Sequence, residues 1–252
     1  MRTESASLAA RFSFLKGTPF HPQWFVHRGE KSLFTCIGRR SSGRVLDVGC
    51  SDQRIKAYLA PGCEYIGLDY YSTASSWYKT RPSVYGDAHA LPFTEGRFDT
   101  VLLLDVLEHL RSPQSCMAEV SRVLIEDGLF FVMVPFMYPI HDAPFDFGRW
   151  TSFGLAQLAE VHEFDVVEAR HVGEPAETAA LMTNIAWSKA VLRWANAGNP
   201  LMIFALLLPF TVLFTNLLGA FIARLGTSDQ MMPNGYFLVL KKRGANTMMA
   251  MD

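Results

Sequence analysis

The sequence predicts an α/β fold built on an open, mostly parallel sheet, with a hydrophobic helical insertion near its C-terminal end. Three stretches carry this expectation. Arg44 to Gln53, RVLDVGCSDQ, sets the apolar residues Val45, Leu46 and Val48 before an abrupt Gly49, and an amphipathic stretch with Ile55, Tyr58 and Leu59 follows, so a buried strand turns into a helix. The apolar run Thr100 to Leu104 suits a central strand covered on both faces, and Asp105 breaks it at the end where ligands bind in such sheets. Leu201 to Ala223 contains no charged residue and by length alone could cross a bilayer, which takes about 20 apolar residues.

Composition narrows the setting. At 252 residues the chain fits one generous domain, or a domain with an appendage. A net charge of -1 provides no field for phosphate backbones, so nucleic acid is not an expected partner. Cys36, Cys50, Cys63 and Cys116 form no C-x-x-C pair, which points to a reduced, cytoplasmic compartment and to no metal site. Glu4 and several serines precede any apolar run, unlike a secretory signal.

Taken in order, residues 1 to 26 show no sustained period and read as irregular. Leu33, Phe34 and Ile37 then recur at helical spacing, and Gly38 with the run to Gly43 should end that helix, which is expected beside the cofactor cleft. Tyr65 to Asp69 is a second strand ending in a carboxylate ~20 residues past the glycine turn, where a nucleoside-binding sheet places its ribose ligand. Asp69 takes that role, and Tyr70 either lies on the adenine face or fills the groove. In Gly86 to Phe93, GDAHALPF, Asp87 with the backbone amide of Ala88 matches the donor and acceptor edge of adenine. Ser112 and Pro113 start a helix whose buried face is Met117, Val120 and Leu124, and Gly128 should stop it. Leu129 to Val134 is the fifth strand. The loop 138 to 151, YPIHDAPFDFGRWT, follows it at the carboxyl end, where a substrate would approach. Thr151 caps the helix of Phe153, Leu155 and Leu158, and Phe164 to His171 is the sixth strand.

The motifs themselves carry a resemblance. Asp-x-Gly-x-Ser at 47 to 51 resembles the first motif of the class I S-adenosylmethionine (SAM) methyltransferases, although Ser51 and Gln53 stand where that family usually has glycine. Gly86 to Phe93 resembles the third motif of the group that includes the ubiquinone and menaquinone methyltransferases, and FDTVLLLDVLEHL at 98 to 110 completes the order. The resemblance covers residues 44 to 175. It implies a Rossmann-like seven-stranded sheet, mostly parallel with an antiparallel last strand and helices on both faces, and SAM as cofactor. It further implies Asp47, Gly49, Cys50, Ser51, Asp69, Tyr70, Asp87, Ala88 and Asp105 as cofactor-binding residues. Tyr236 to Leu240 becomes the last strand. The expected organisation is an N-terminal helical segment (1–43), a SAM-binding core (44–175), a hydrophobic insertion (176–235), and the last strand with its tail (236–252).

Within the insertion, Leu181, Ile185, Leu192, Trp187, Val191 and Trp194 form a wide apolar face opposite Lys189 and Arg193, the pattern of a helix lying in a membrane interface or packed on a core. Because the last strand must rejoin its sheet, the segment is expected to lie flat or to enter and return, bent near Pro209 or Asn216. Lys189, Arg193 and Arg224 place both ends on the cytoplasmic side. The alternative is burial against the domain or against a second copy of the chain.

SAM carries an activated methyl, so the protein must orient an acceptor and remove its proton. Neutral imidazole suits an oxygen acceptor. His141, with Asp142 beside it, is the first candidate and His109 the second; Arg149 either holds an anionic group or braces the loop. The expected function is methyl transfer to a small or lipid-linked acceptor, an O-methylation at the cytoplasmic membrane face. The alternative is a membrane-tethered protein that binds SAM without catalysis. A nicotinamide oxidoreductase is disfavoured because no G-x-G-x-x-G is present.

Overall fold

The computed structural model describes residues 15–226 and 228–244. The expectations for residues 1–14 and for the tail beyond Gly244 lie outside these. Twelve elements follow in chain order: α1 (Trp24–Arg40), β1 (Arg44–Val48), β2 (Glu64–Asp69), β3 (Val84–Tyr85), β4 (Phe98–Leu104), α2 (Pro113–Val123), β5 (Leu124–Pro135), α3 (Ser152–Val161), β6 (Phe164–Val172), α4 (Pro175–Asn196), α5 (Leu208–Leu225) and β7 (Gly235–Lys242). They fall into two compact units. Among the described residues, one holds Ser32–Phe136, Ile140–His171 and those from Gly235 on; the other holds those of Val172–Asn234 with Met137–Pro139 and those up to Lys31.

The first unit is a seven-stranded sheet in the order β3-β2-β1-β4-β5-β7-β6. β1 pairs in parallel with β2 and β4, and β5 in parallel with β4, so the carboxyl ends of these strands share one edge. The strand order reverses between β1 and β4, the switch point at which open α/β sheets bind ligands. β7 runs antiparallel to β5, with Tyr236 opposite Val134 and Leu240 opposite Phe130, as the resemblance implies. Val101, Leu102 and Leu103 are consecutive and all fully buried, which requires cover on both faces of β4.

Two expectations are corrected. The stretch after β1 is a 3-10 turn, Arg54–Tyr58, rather than an α-helix; only Ile55 of it is buried and Pro61 follows too soon for further turns. α1 ends at Arg40, inside the run from Gly38 to Gly43 expected to end it, and Gly38 itself also serves packing, because a Cβ there would lie 2.0 Å from the Tyr58 carbonyl oxygen. Gly128 does not stop α2. That helix ends at Val123, Leu124 already pairs with Phe98, and the exposed residues Ile125, Glu126 and Asp127 bulge before pairing resumes at Leu129 opposite Thr100. Pro113 does open α2, but the Ser112 side chain caps no backbone amide. Thr151 does cap α3, its hydroxyl accepting from the Gly154 amide at 3.1 Å.

In the second unit the uncharged run is two segments. A 3-10 stretch, Pro200–Leu206, precedes α5, and the break falls just before Pro209, which occupies the first turn of α5. The helix passes straight through Asn216, whose buried side chain accepts from Asn184 at 2.9 Å and donates to the carbonyls of Pro19 and His21. Phe25, Ala180, Leu181 and Ile185 form the apolar core of this unit. Among the described residues, α5 is the one helix long and apolar enough to cross a membrane.

Candidate active site

The turn after β1 is built around backbone conformations that side chains disfavour. Gly49 has φ +74°, its amide donates to the Leu68 carbonyl at 2.8 Å, and a Cβ on it would meet Val106 Cγ2 at 2.4 Å. Ser51 and Gln53, where glycine is usual, also have positive φ, 42° and 59°. The bend is thus kept without the glycines. The Ser51 amide donates to Asp69 Oδ2 at 2.9 Å and the Tyr70 amide to Oδ1 at 2.7 Å. Asp69 ends β2 as a buried carboxylate with one amide on each oxygen, and each oxygen retains further acceptor capacity. Burial raises its pKa, and the two amides pull it back.

Asp87 stands beyond β3. Burial pushes its pKa up, but the His89 amide, the Tyr70 hydroxyl and the His89 imidazole outweigh that and hold it below the usual carboxylate range. The His89 tautomer follows from its neighbours: Nε2 accepts from the Ser112 amide, so Nδ1 carries the proton donated to Asp87 Oδ1 at 2.7 Å. Tyr70 therefore links the two carboxylates, with its amide on Asp69 and its hydroxyl on Asp87. Ala88 is buried in the same turn, and Asp105 is exposed in the turn after β4 with φ 56°. Asp47 and Cys50 are buried instead of facing outward. The Tyr65 hydroxyl donates to Asp47 at 2.7 Å, burial pushes the Asp47 carboxyl up to about 7, and burial pushes the Cys50 thiol up to about 12.

A second cluster follows β4 and β5 on the same sheet edge. Glu108, in the 3-10 turn Leu107–His109, is fully buried. His109 Nδ1 lies 2.7 Å from the Phe145 carbonyl and His141 Nδ1 lies 3.2 Å from Asp146 Oδ2. The Nε2 atoms of both rings face Glu108 Oε1, each at 3.7 Å. Asp146 is gripped bidentately by Arg149 at 2.5 and 2.9 Å and receives the His141 amide at 3.0 Å. The guanidinium and these hydrogen bonds hold the Asp146 carboxyl down at about 2 against its burial.

The structure thus brings His109 and His141 together, and Asp69 with Ser51, Tyr70 and Asp87. The acid facing His141 is Asp146, five residues on, in place of the adjacent Asp142. Arg149 braces the loop through Asp146 and the Gly148 carbonyl. Glu108 is the residue that sequence reasoning passed over. A carboxylate between Leu107 and Leu110, next to a histidine, was the available signal.

Residues 46–132 match a family described as a methyltransferase domain. A probable SAM-dependent methyltransferase of Mycolicibacterium smegmatis is 29% identical over 149 residues, 56% of this chain and 57% of that protein. A demethylmenaquinone methyltransferase of Renibacterium salmoninarum is 28% identical over 119 residues, 45% of this chain and 50% of that one. The chain therefore spans about half the length of the relatives it matches. Among solved structures, the cyclase SpnF superposes with a TM-score of 0.55 at 15% identity, over 86% of this chain and 81% of that one. A SAM-dependent methyltransferase from Methanosarcina mazei superposes with a TM-score of 0.50 at 15% identity, over 81% and 94%. Both share the fold.

Proposed function

We propose that the chain is a class I SAM-dependent methyltransferase that methylates an oxygen on a small or lipid-linked acceptor at the cytoplasmic face of a membrane. The observation that carries this reading is one sheet edge with two different ends. Around β1 and β2 lie a tight turn and a buried carboxylate suited to a nucleoside, and after β4 and β5 lies a cluster of ionisable groups suited to an acceptor. SAM supplies the sulfonium-activated methyl. In this reading Asp69 accepts hydrogen bonds from the ribose hydroxyls, Asp87 and the Ala88 amide meet the adenine edge, and the missing Cβ of Gly49 lets the backbone approach. The acceptor's proton leaves at the cluster of Glu108, His109 and His141. The retained positive φ at Ser51 and Gln53 favours an intact cofactor turn over a degenerate one.

The membrane part of the proposal rests on the second unit. Phe210, Phe214 and Phe221 recur along α5 and are 67%, 65% and 59% exposed, an apolar face with no charge until Arg224. Trp187 and Trp194 pack on Phe204, with Lys189 and Arg193 exposed nearby in sequence, the combination favoured at a bilayer interface. A second copy of the chain is the competing occupant of this face.

A fold shared with a cyclase does not compel methyl transfer, so binding of SAM without transfer is the second reading. Incubation with methyl-labelled SAM and separate lipid and aqueous cell extracts decides between them. Label in a lipid product supports the proposal. Calorimetric SAM binding with no label in either extract favours the second reading.

A further inference from the structure

We propose that Glu108, His109 and His141 form a binding site for one divalent first-row transition-metal ion. A carbonyl can only accept, so His109 Nδ1, at 2.7 Å from the Phe145 oxygen, carries the ring proton. His141 Nδ1 is occupied within its own loop, 3.2 Å from Asp146 Oδ2 and 3.5 Å from Arg149 Nη2, which leaves Nε2 as the ring atom that faces Glu108. The Nε2 atoms of both rings face Glu108 Oε1 across 3.7 Å. Neither Glu108 oxygen accepts a hydrogen bond, and the side chain is fully buried. Three potential ligand atoms thus converge on a buried carboxylate that accepts no hydrogen bond, an arrangement that a bound cation would stabilise.

The donor chemistry narrows the ion. Two imidazoles and one carboxylate suit zinc, iron or manganese, and they leave coordination positions open for water or a substrate oxygen. The other nitrogen of His109 is held by the Phe145 carbonyl and that of His141 lies between Asp146 and Arg149, so both rings are oriented by outer partners as metal-ligating histidines generally are. The candidate ligand atoms lie within 4.8 Å of one another, against roughly 3.3 Å around a tetrahedral zinc, so small rotations of the two rings suffice. The cysteine spacing, which argues against a thiolate site, does not bear on this one.

The role of the ion rests on the methyl-transfer reading, but the site does not. An acceptor hydroxyl at an open position would have its pKa lowered and lose its proton to water. Its oxygen then forms the new O–C bond as the C–S bond of SAM breaks.

The test uses the full-length protein, stripped with chelator and dialysed separately against Zn²⁺, Mn²⁺ and Mg²⁺, with bound metal measured by elemental analysis. One equivalent of Zn²⁺ or Mn²⁺ is expected, with at least tenfold weaker binding in Glu108→Gln and in His141→Ala. Circular dichroism and SAM binding serve as folding controls. Should Glu108→Gln not fold, His141→Ala decides alone, supported by the visible spectrum of the Co²⁺-loaded wild type. Sub-stoichiometric metal, binding of Mg²⁺ alone, unchanged binding in the folded variants, or nitrogen-15 shifts showing both imidazoles doubly protonated at neutral pH would each overturn the site. Stoichiometric metal in a protein that transfers no methyl would keep the site and remove the methyltransferase reading.

Discussion

Replacing Asp47 by Asn probes the electrostatics beneath the turn after β1. Asp47 is 4% exposed and receives the Tyr65 hydroxyl at 2.7 Å. Burial raises its pKa to about 7; the Tyr65 hydrogen bond opposes the shift, and the charges of Asp69 and Asp52 add to it. A carboxyl whose folded pKa lies above its unfolded value, about 3.9, stabilises the fold in its protonated form. That contribution is complete below the unfolded pKa and is lost as the pH rises to the folded one. Between pH 5 and pH 8 the wild type should therefore lose up to about 3 kcal/mol that the Asn variant keeps, which is roughly two pKa units at 1.36 kcal/mol each. Asn retains an acceptor for Tyr65 and adds an amide group whose cost is equal at both pH values, so it cancels from the difference. Urea unfolding of both proteins at pH 5, 6, 7 and 8 measures the effect, read as the gap between their stabilities. Gaps that stay constant across this range would show that Asp47 titrates normally and that the burial argument is wrong.

Asp69→Ala should lose at least tenfold in SAM affinity by calorimetry, since charge-assisted hydrogen bonds contribute about 1.5 to 3 kcal/mol; unchanged affinity would remove Asp69 from the site. Gly49→Ala should cost about 2 kcal/mol or more, because φ +74° and the 2.4 Å approach to Val106 both oppose a Cβ. Adding Val106→Ala should recover only the steric share, and full recovery would contradict the conformational one. His109→Ala and His141→Ala should each lower turnover about a hundredfold with SAM affinity nearly intact, and the double variant should fall little further. If only one histidine matters, it acts as a lone base. Changing Phe210, Phe214 and Phe221 to Ser should release the protein from anionic vesicles. A wild type that ignores vesicles and elutes as a dimer would assign the face to a second copy.

The strands were legible because burial on both faces leaves an unbroken apolar signature, as in Val101 to Leu103, and because an acid closes β2 at Asp69. One glycine misled. Gly128 read as a helix stop yet lies inside β5, whereas Gly38, in the run that does end α1, also admits the Tyr58 carbonyl. Local sequence does not distinguish a glycine that ends an element from one that admits a neighbour, because the neighbour is distant in the chain. Glu108 was legible only as a carboxylate beside a histidine, for the same reason. Its burial and its partners depend on His141, more than thirty residues later, and on a loop that folds back so that Asp146 meets the imidazole.

The turn at Ser51 and Gln53 shows that a motif is a statement about backbone geometry before it is one about residue names. Glycine reaches positive φ freely, whereas Ser51 and Gln53 hold it at a cost on the order of 1 kcal/mol each. Such conformations persist only where the surroundings over-determine them, and here the bonds that do so are visible. The Ser51 amide is fixed by Asp69, its carbonyl by the Thr80 hydroxyl at 2.8 Å, and the Gln53 side chain by the Arg81 carbonyl at 2.9 Å. A glycine turn is permitted to bend, while this one is tied down from the segment between β2 and β3. Thr80 and Arg81 thereby become part of what shapes the turn after β1, although neither belongs to any motif that points to it.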